Sequence, residues 1–215
     1  MVYEAVAKLR KLAGKRMMKT WQAGGHTWFD HRIDEMMWPD NIFWVERGAL
    51  ARLYLPKGGK VLDVCCGDGY FSDLFWSISA ERVDAVDRDP RALAQAARSH
   101  GHRNIAFHKR DIVRDPLPDS QYDLVCFFEA IEHLSAEDGQ VVLRKLRSAL
   151  ADGGHIVGST TQVAHDARGM GNPEHDNEFE SAEDLAAFLG PDATILTSYH
   201  PARTTLYFIL GSGPK

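Results

Sequence analysis

From Lys60 to the C-terminus, short apolar runs alternate with helix-like segments, and few folds accommodate that order. "KVLDV" leads through the turn "CCGDG" into the helical "YFSDLFWSIS". "RVDAV" leads into "DPRALAQAARSH", where Asp-Pro marks a helix start, and "NIAFH" follows as a third strand. "YDLVCFF" precedes "SAEDGQVVLRKLRSAL", whose Ser135 is placed to cap the helix with Asp138 three residues on. "GGHIVGSTT", the helix "SAEDLAAFL" and the strands "ATILTSYH" and "TTLYFIL" complete the series. Strands joined through helices form right-handed crossovers and a mostly parallel sheet covered on both faces. The last two strands have no helix between them and can form a hairpin. The expected fold is therefore α/β and Rossmann-like: a seven-stranded, mostly parallel sheet with one antiparallel strand. Residues 1–55 read as an N-terminal helical extension shaping an acceptor pocket, and residues 56–215 as the ligand-binding domain.

In such folds ligands sit beyond the carboxyl ends of the strands. Gly67 and Gly69 allow a tight turn there and close approach of a ligand. Asp87 closes the second strand about twenty residues on, where an acidic side chain can hold a ribose diol, and Asp111 follows the third.

The stretch "FFEAIEHL" then leaves the fourth strand with two carboxylates and an imidazole in five residues. If a helix starts after Phe128, then Glu129, Glu132 and His133 share one face at i, i+3 and i+4. Such a set is half of an octahedral site for Mg²⁺ or Mn²⁺. The aperiodic stretch 160–180 offers His175 in "GNPEHDNEF" to extend it. The other readings are a metal-free site with His133 or His175 as base, and a helix start with a structural role only.

The run from 60 to 210 resembles the class I S-adenosylmethionine (SAM) methyltransferases. That resemblance implies that Asp63 and the Gly67–Gly69 turn lie against the methionine part of SAM. It also implies that Asp87, with Arg88 beside it, holds the ribose, that Asp111 and Ile112 meet the adenine, and that Phe127 lies near the cofactor. Cys65 stands where family members usually carry Gly. E-x-x-E-H followed by N-P-x-H-x-x-E-F resembles a metal-dependent subset: plant small-RNA 2′-O-methyltransferases, ubiquinone-pathway O-methyltransferases and bacterial sugar and glycan methyltransferases, with a weaker likeness to methylmannose polysaccharide O-methyltransferases. By that resemblance Glu129, Glu132, His133 and His175 are the metal ligands, and Glu132, His133 and His175 serve catalysis.

The implied activity is methyl transfer from SAM to a hydroxyl of a sugar or oligosaccharide, assisted by a divalent metal. The alternatives are a metal-independent O-methyltransferase acting on a phenol or other small metabolite, and a SAM-binding regulatory protein without turnover. Trp28, His31, Arg32, Trp38, Asn41 and Arg203 are candidates for acceptor contact, since aromatic faces suit sugar C–H surfaces and Arg and Asn suit hydroxyls.

A formal net charge of −5 argues against a nucleic-acid partner. Lys8, Arg10, Lys11, Lys15, Arg16 and Lys19 are an exception, read as a solvated helix face or as a contact with an anionic acceptor or membrane surface. No apolar run reaches the ~20 residues of a membrane span. Cys65, Cys66 and Cys126 show no metal or redox spacing and read as buried thiols in a reducing cytoplasm. A homodimer is a possible assembly.

Overall fold

The structure is a computed structural model that describes residues 2–24, 29–31, 33, 42–101, 104–163, 175–200 and 203–211. Helices α1 (Val2–Ala23) and α2 (Ile42–Leu53) precede the sheet. The strands are β1 (Lys60–Val64), β2 (Arg82–Asp87), β3 (Ile105–Lys109), β4 (Tyr122–Phe128), β5 (Leu150–Thr161), β6 (Thr194–His200) and β7 (Arg203–Gly211). Between them lie α3 (Pro90–Ser99), α4 (Ala136–Ser148) and α5 (Ala182–Leu189).

The seven strands pair in the order β3-β2-β1-β4-β5-β7-β6. All pairs from β3 to β5 are parallel, and β7 runs antiparallel to both β5 and β6. The chain order reverses between β1 and β4, which opens a crevice past their carboxyl ends.

Period-two alternation sorts each strand's side chains into two cores. Leu62, Val64, Val125 and Phe127 pack with Val142, Leu146 and Leu185 of α4 and α5. Val61, Leu124, Cys126 and Phe128 pack with Phe71, Trp76 and Ala51 on the opposite face. Both faces of the sheet are thus buried, as the unbroken apolar runs require.

The helix starts follow local chemistry. The Asp89 carboxylate accepts from the Arg91 N–H at 2.7 Å with Pro90 as the first helical residue. Ser135 Oγ accepts from the Asp138 N–H and Ser181 Oγ from the Asp184 N–H, both at 3.1 Å. Each cap satisfies an amide that the helix leaves without a partner.

Three local expectations are corrected. The segment after the Gly turn is a π-helical turn, Ser72–Ser77, seated by the fully buried Trp76. "EAIEHL" forms a 3₁₀ turn over Ile131–His133, too short to align Glu129 with Glu132 and His133. Cys65 is exposed, because its positive φ of 58° turns the side chain out of the strand's line.

Candidate active site

Gly67 and Gly69 both adopt positive φ, 55° and 75°. A Cβ on Gly69 would come within 2.9 Å of the Phe107 ring, so only glycine lets β3 close against the turn. Asp87 splits its carboxylate between this turn and the next helix. Oδ2 accepts from the Gly67 N–H at 2.9 Å and Oδ1 from the Asp89 N–H at 2.8 Å. Burial raises its pKa, and those two amides oppose the rise.

Asp63 is buried at the end of β1 and accepts a short hydrogen bond from Ser72 Oγ. Burial pushes its pKa up to about 8, against the pull of that hydroxyl. Arg88 is exposed. The Asp111 carboxylate folds back onto the Val113 N–H at 3.0 Å, and Ile112 is buried. Lys145 of α4 fixes this loop by donating to the carbonyls of Ile112, Val113 and Asp115 at 2.7, 3.0 and 2.8 Å. Phe127 has no exposed surface, because β4 alternation points its side chain into the core beside Leu62 and Val64.

Next to this crevice is a cavity of about 620 Å³ lined by Phe29, Trp44, Glu129, Glu132, His133, Thr161, Gln162, Val163, His175 and Arg203. The ligating atoms of Glu132, His133 and His175 all lie within 4.8 Å of one another. Backbone geometry brings them together, since the N–H groups of Asp176 and Asn177 donate to the Glu132 carbonyl at 2.9 and 3.1 Å. The rings of His133 and His175 meet edge-on with centroids 5.1 Å apart. His175 Nδ1 lies 3.3 Å from Glu178 Oε1. Burial and the neighbouring His133 hold the His175 imidazole below its usual range.

Glu132 Oε2 is buried and, among the described residues, makes no hydrogen bond of good geometry. Burial and the charge of Glu129 raise the Glu132 pKa to about 8, against the pull of the nearby Thr160 hydroxyl. A buried carboxylate oxygen next to two imidazoles fits a divalent cation.

Glu129 stands apart from this trio. It sits at a positive φ of 48°, which turns its side chain toward β5 and β7. Ser159 Oγ donates to Oε1 at 2.7 Å, Thr161 Oγ1 donates to Oε2 at 3.3 Å, and Arg203 also donates to Oε2. Arg47 lies 3.9 Å from Oε1. Burial alone would raise its pKa; the two arginines and these hydrogen bonds hold it at about 2. Its carboxylate is held by arginines, and the trio whose ligating atoms cluster is Glu132, His133 and His175.

His31 is buried, with Nδ1 2.9 Å from Asp68 Oδ1 and its backbone N–H donating to Asp68 Oδ2 at 2.8 Å. Its ring stacks on Tyr70 at 5.1 Å and meets Phe29 and Trp44 edge-on. It therefore locks the 29–31 segment onto the Gly67–Gly69 turn, and does not line the cavity. Trp28, Arg32, Trp38 and Asn41 lie outside the described residues.

Sequence reasoning missed Phe29, Trp44, Arg47 and Asp68. Trp44 and Arg47 carried a signal in their i, i+3 spacing on α2, where the Arg47 guanidinium covers the Trp44 ring at 4.0 Å. Asp68 carried none beyond its place between the two glycines.

Residues 61–154 match the family described as a methyltransferase domain. A probable S-adenosylmethionine-dependent methyltransferase of Mycolicibacterium smegmatis is 33% identical over 129 residues, which is 59% of this chain and 48% of that protein. A ubiquinone biosynthesis O-methyltransferase of Pseudomonas putida is 28% identical over 151 residues, 65% of this chain and 60% of that protein. The chain thus spans about half the length of the first curated relatives it matches. Among solved structures, a complex of DhpI with S-adenosyl-homocysteine (SAH) superposes with a TM-score of 0.61 at 26% identity, covering 81% of this chain and 87% of that one.

Proposed function

We propose that this chain, which carries a class I SAM-dependent methyltransferase domain, transfers the SAM methyl group to a hydroxyl oxygen of a sugar or similarly polar small acceptor, with Mg²⁺ or Mn²⁺ held by Glu132, His133 and His175. The observation that carries this reading is the convergence of those three ligating atoms within 4.8 Å on the wall of a cavity beside the cofactor turn. The likeness to a ubiquinone biosynthesis O-methyltransferase supports oxygen as the acceptor atom.

In the transfer the acceptor oxygen attacks the methyl carbon in line, the C–S bond breaks, and SAH leaves as a neutral thioether. The enzyme must position the two reactants and take the hydroxyl proton. A divalent cation, when bound, supplies the Lewis acidity that lowers the pKa of an aliphatic hydroxyl. Asp87 holds the ribose end of SAM, and Asp63 and the Gly67–Gly69 turn lie against the methionine end. Phe29 and Trp44, stacked with centroids 5.4 Å apart, offer apolar faces to a sugar ring. Gln162, Thr161 and Arg203 supply polar edges around the same cavity.

A second reading is a metal-free site in which His175 takes the proton of a more acidic phenol. Its support is the lowered pKa of His175, which keeps the imidazole neutral and able to accept a proton.

The deciding experiment is labelled methyl transfer from SAM to a panel of saccharides and phenols, with added Mg²⁺ or Mn²⁺ and with chelator. Saccharide methylation that stops in chelator and returns with metal is the expected result. Phenol methylation indifferent to chelator would replace the first reading by the second, and SAM binding without transfer to any acceptor would favour a regulatory role.

A further inference from the structure

Helix α1 projects a face that the rest of the described protein leaves uncovered. At 100° per residue, Ala5, Val6, Leu9, Leu12 and Ala13 fall within an arc of about 120°. All five are exposed, Val6 by 57%, Leu9 by 66% and Leu12 by 65%. The other side holds the buried Gly14 and the half-buried Met18 and Trp21, the half-buried Met17 borders the stripe, and past Ala13 the same arc continues with the exposed Arg16 and Thr20. Lys8, Lys15 and Lys19 are exposed in one row along the edge of the apolar stripe.

Charge separates the possible occupants of this face. The chain has 25 Lys and Arg against 30 Asp and Glu. Helix α1 holds six of those basic residues (Lys8, Arg10, Lys11, Lys15, Arg16, Lys19) and one of the acidic ones (Glu4), so it carries +5 and the remaining chain −10. A second copy packed on the same face would bring two basic helices together. An anionic surface would attract α1 and repel the acidic body, which also sets the orientation.

We propose that α1 is an interfacial helix that lies on an anionic lipid bilayer, with Val6, Leu9 and Leu12 in the headgroup–acyl boundary and Lys8, Lys15 and Lys19 on the lipid phosphates. It lies on the bilayer and does not cross it; among the described residues no helix is long and apolar enough to span a membrane. The consequence for function is positional. Trp21, at the C-terminal end of α1, packs edge-on against Phe29 with centroids 5.2 Å apart, and Phe29 lines the acceptor cavity. A membrane-bound α1 holds that cavity close to the interface, where an acceptor with a lipid tail presents its polar head. The surface binding itself does not depend on the metal or on the acceptor proposed above.

The test is co-sedimentation of the full chain with phosphatidylcholine vesicles and with vesicles that also contain 30% phosphatidylglycerol. Binding to the anionic vesicles alone, weakened by salt, is expected. Lys8→Gln with Lys15→Gln and Lys19→Gln should cut partitioning by about fivefold per lysine, from ~1 kcal/mol each. Leu9→Glu with Leu12→Glu should abolish it while SAM affinity stays unchanged, which also reports that the variant is folded. Absence of sedimentation, or equal sedimentation with both vesicle types, overturns the proposal. Self-association in lipid-free buffer that the Leu9→Glu, Leu12→Glu variant removes would give this face to a second copy and overturn it as well.

Discussion

Arg203, the first residue of β7, closes its guanidinium on Oε2 of Glu129, one residue past the end of β4. Arg47 of α2 approaches the other carboxylate oxygen at 3.9 Å. One partly buried carboxylate thus joins the N-terminal extension, the centre of the sheet and the C-terminal hairpin at the cavity wall. Its neighbour Glu132 is left with the two imidazoles. Two carboxylates three residues apart acquire opposite chemistry, one held ionised by arginines and one raised by burial and by its neighbour's charge.

Arg203→Ala removes one of the two cations around Glu129 and leaves a partly buried charge incompletely paired. A loss of about 3 kcal/mol in folding stability is expected, measured by urea denaturation at pH 7. The effect has a definite pH dependence. Glu129 has a depressed pKa, so its contribution is complete above about 4.5 and is lost as pH falls toward about 2. Wild type and Arg203→Ala should therefore converge in stability in that acid range. Equal stability at pH 7 would mean that Arg47 alone suffices.

Asp87→Ala should weaken SAM binding by about 10- to 100-fold, the range expected from losing hydrogen bonds to a charged group worth ~1.5–3 kcal/mol. The same carboxylate ties down Gly67, so the glycine turn loosens together with the loss of the proposed ribose contact. Calorimetric titration with SAM measures this, and unchanged affinity would remove Asp87 from the cofactor site.

Asp63 provides a second pH signature. Its folded pKa is raised from 3.8 to about 8, so the folded state binds this proton more tightly than the unfolded chain. The stability this supplies is complete below about pH 4 and is lost as pH rises toward 8. Asp63→Asn keeps a neutral side chain throughout, so its stability relative to wild type should climb with pH and level off near 8. Melting temperatures of both proteins across pH 4 to 9 test this; a constant difference would place the Asp63 pKa near its ordinary value.

Glu132→Gln should abolish Mn²⁺ binding, followed by electron paramagnetic resonance, with less than a threefold change in SAM affinity. The carboxamide keeps the shape but loses the charge that a cation needs. His175→Ala should weaken Mn²⁺ binding as well. Glu129→Gln should change stability more than metal affinity, because its carboxylate faces arginines. Mn²⁺ bound equally by wild type and Glu132→Gln would refute the metal site.

Local signals read in the sequence held wherever neighbours in sequence decide the outcome. The caps at Ser135 and Ser181 and the Asp89–Pro90 start need only their own first turn. The seven strands and the antiparallel placing of the last follow from apolar runs and from the missing helix between β6 and β7. Side-chain direction at the strand ends was less accessible. The family resemblance places Phe127 near the cofactor, and only the strand's alternation shows that its side chain points into the core. A helix starting after Phe128 would align Glu129 with Glu132, and one residue at positive φ breaks that alignment.

By itself, then, the sequence determined the α/β order, the glycine turn, the acidic residues at the strand ends and the proximity of Glu132 to His133, because each depends on periodicity, local capping or adjacency along the chain. Only the tertiary structure decided which carboxylate belongs to which partner. Arg47, Glu129, Ser159 and Arg203 come from four separate segments, and Phe29, Trp44 and His175 around the cavity come from three. Pairing across such distances depends on where the crossovers bring the segments in space, and no periodicity along the chain encodes that.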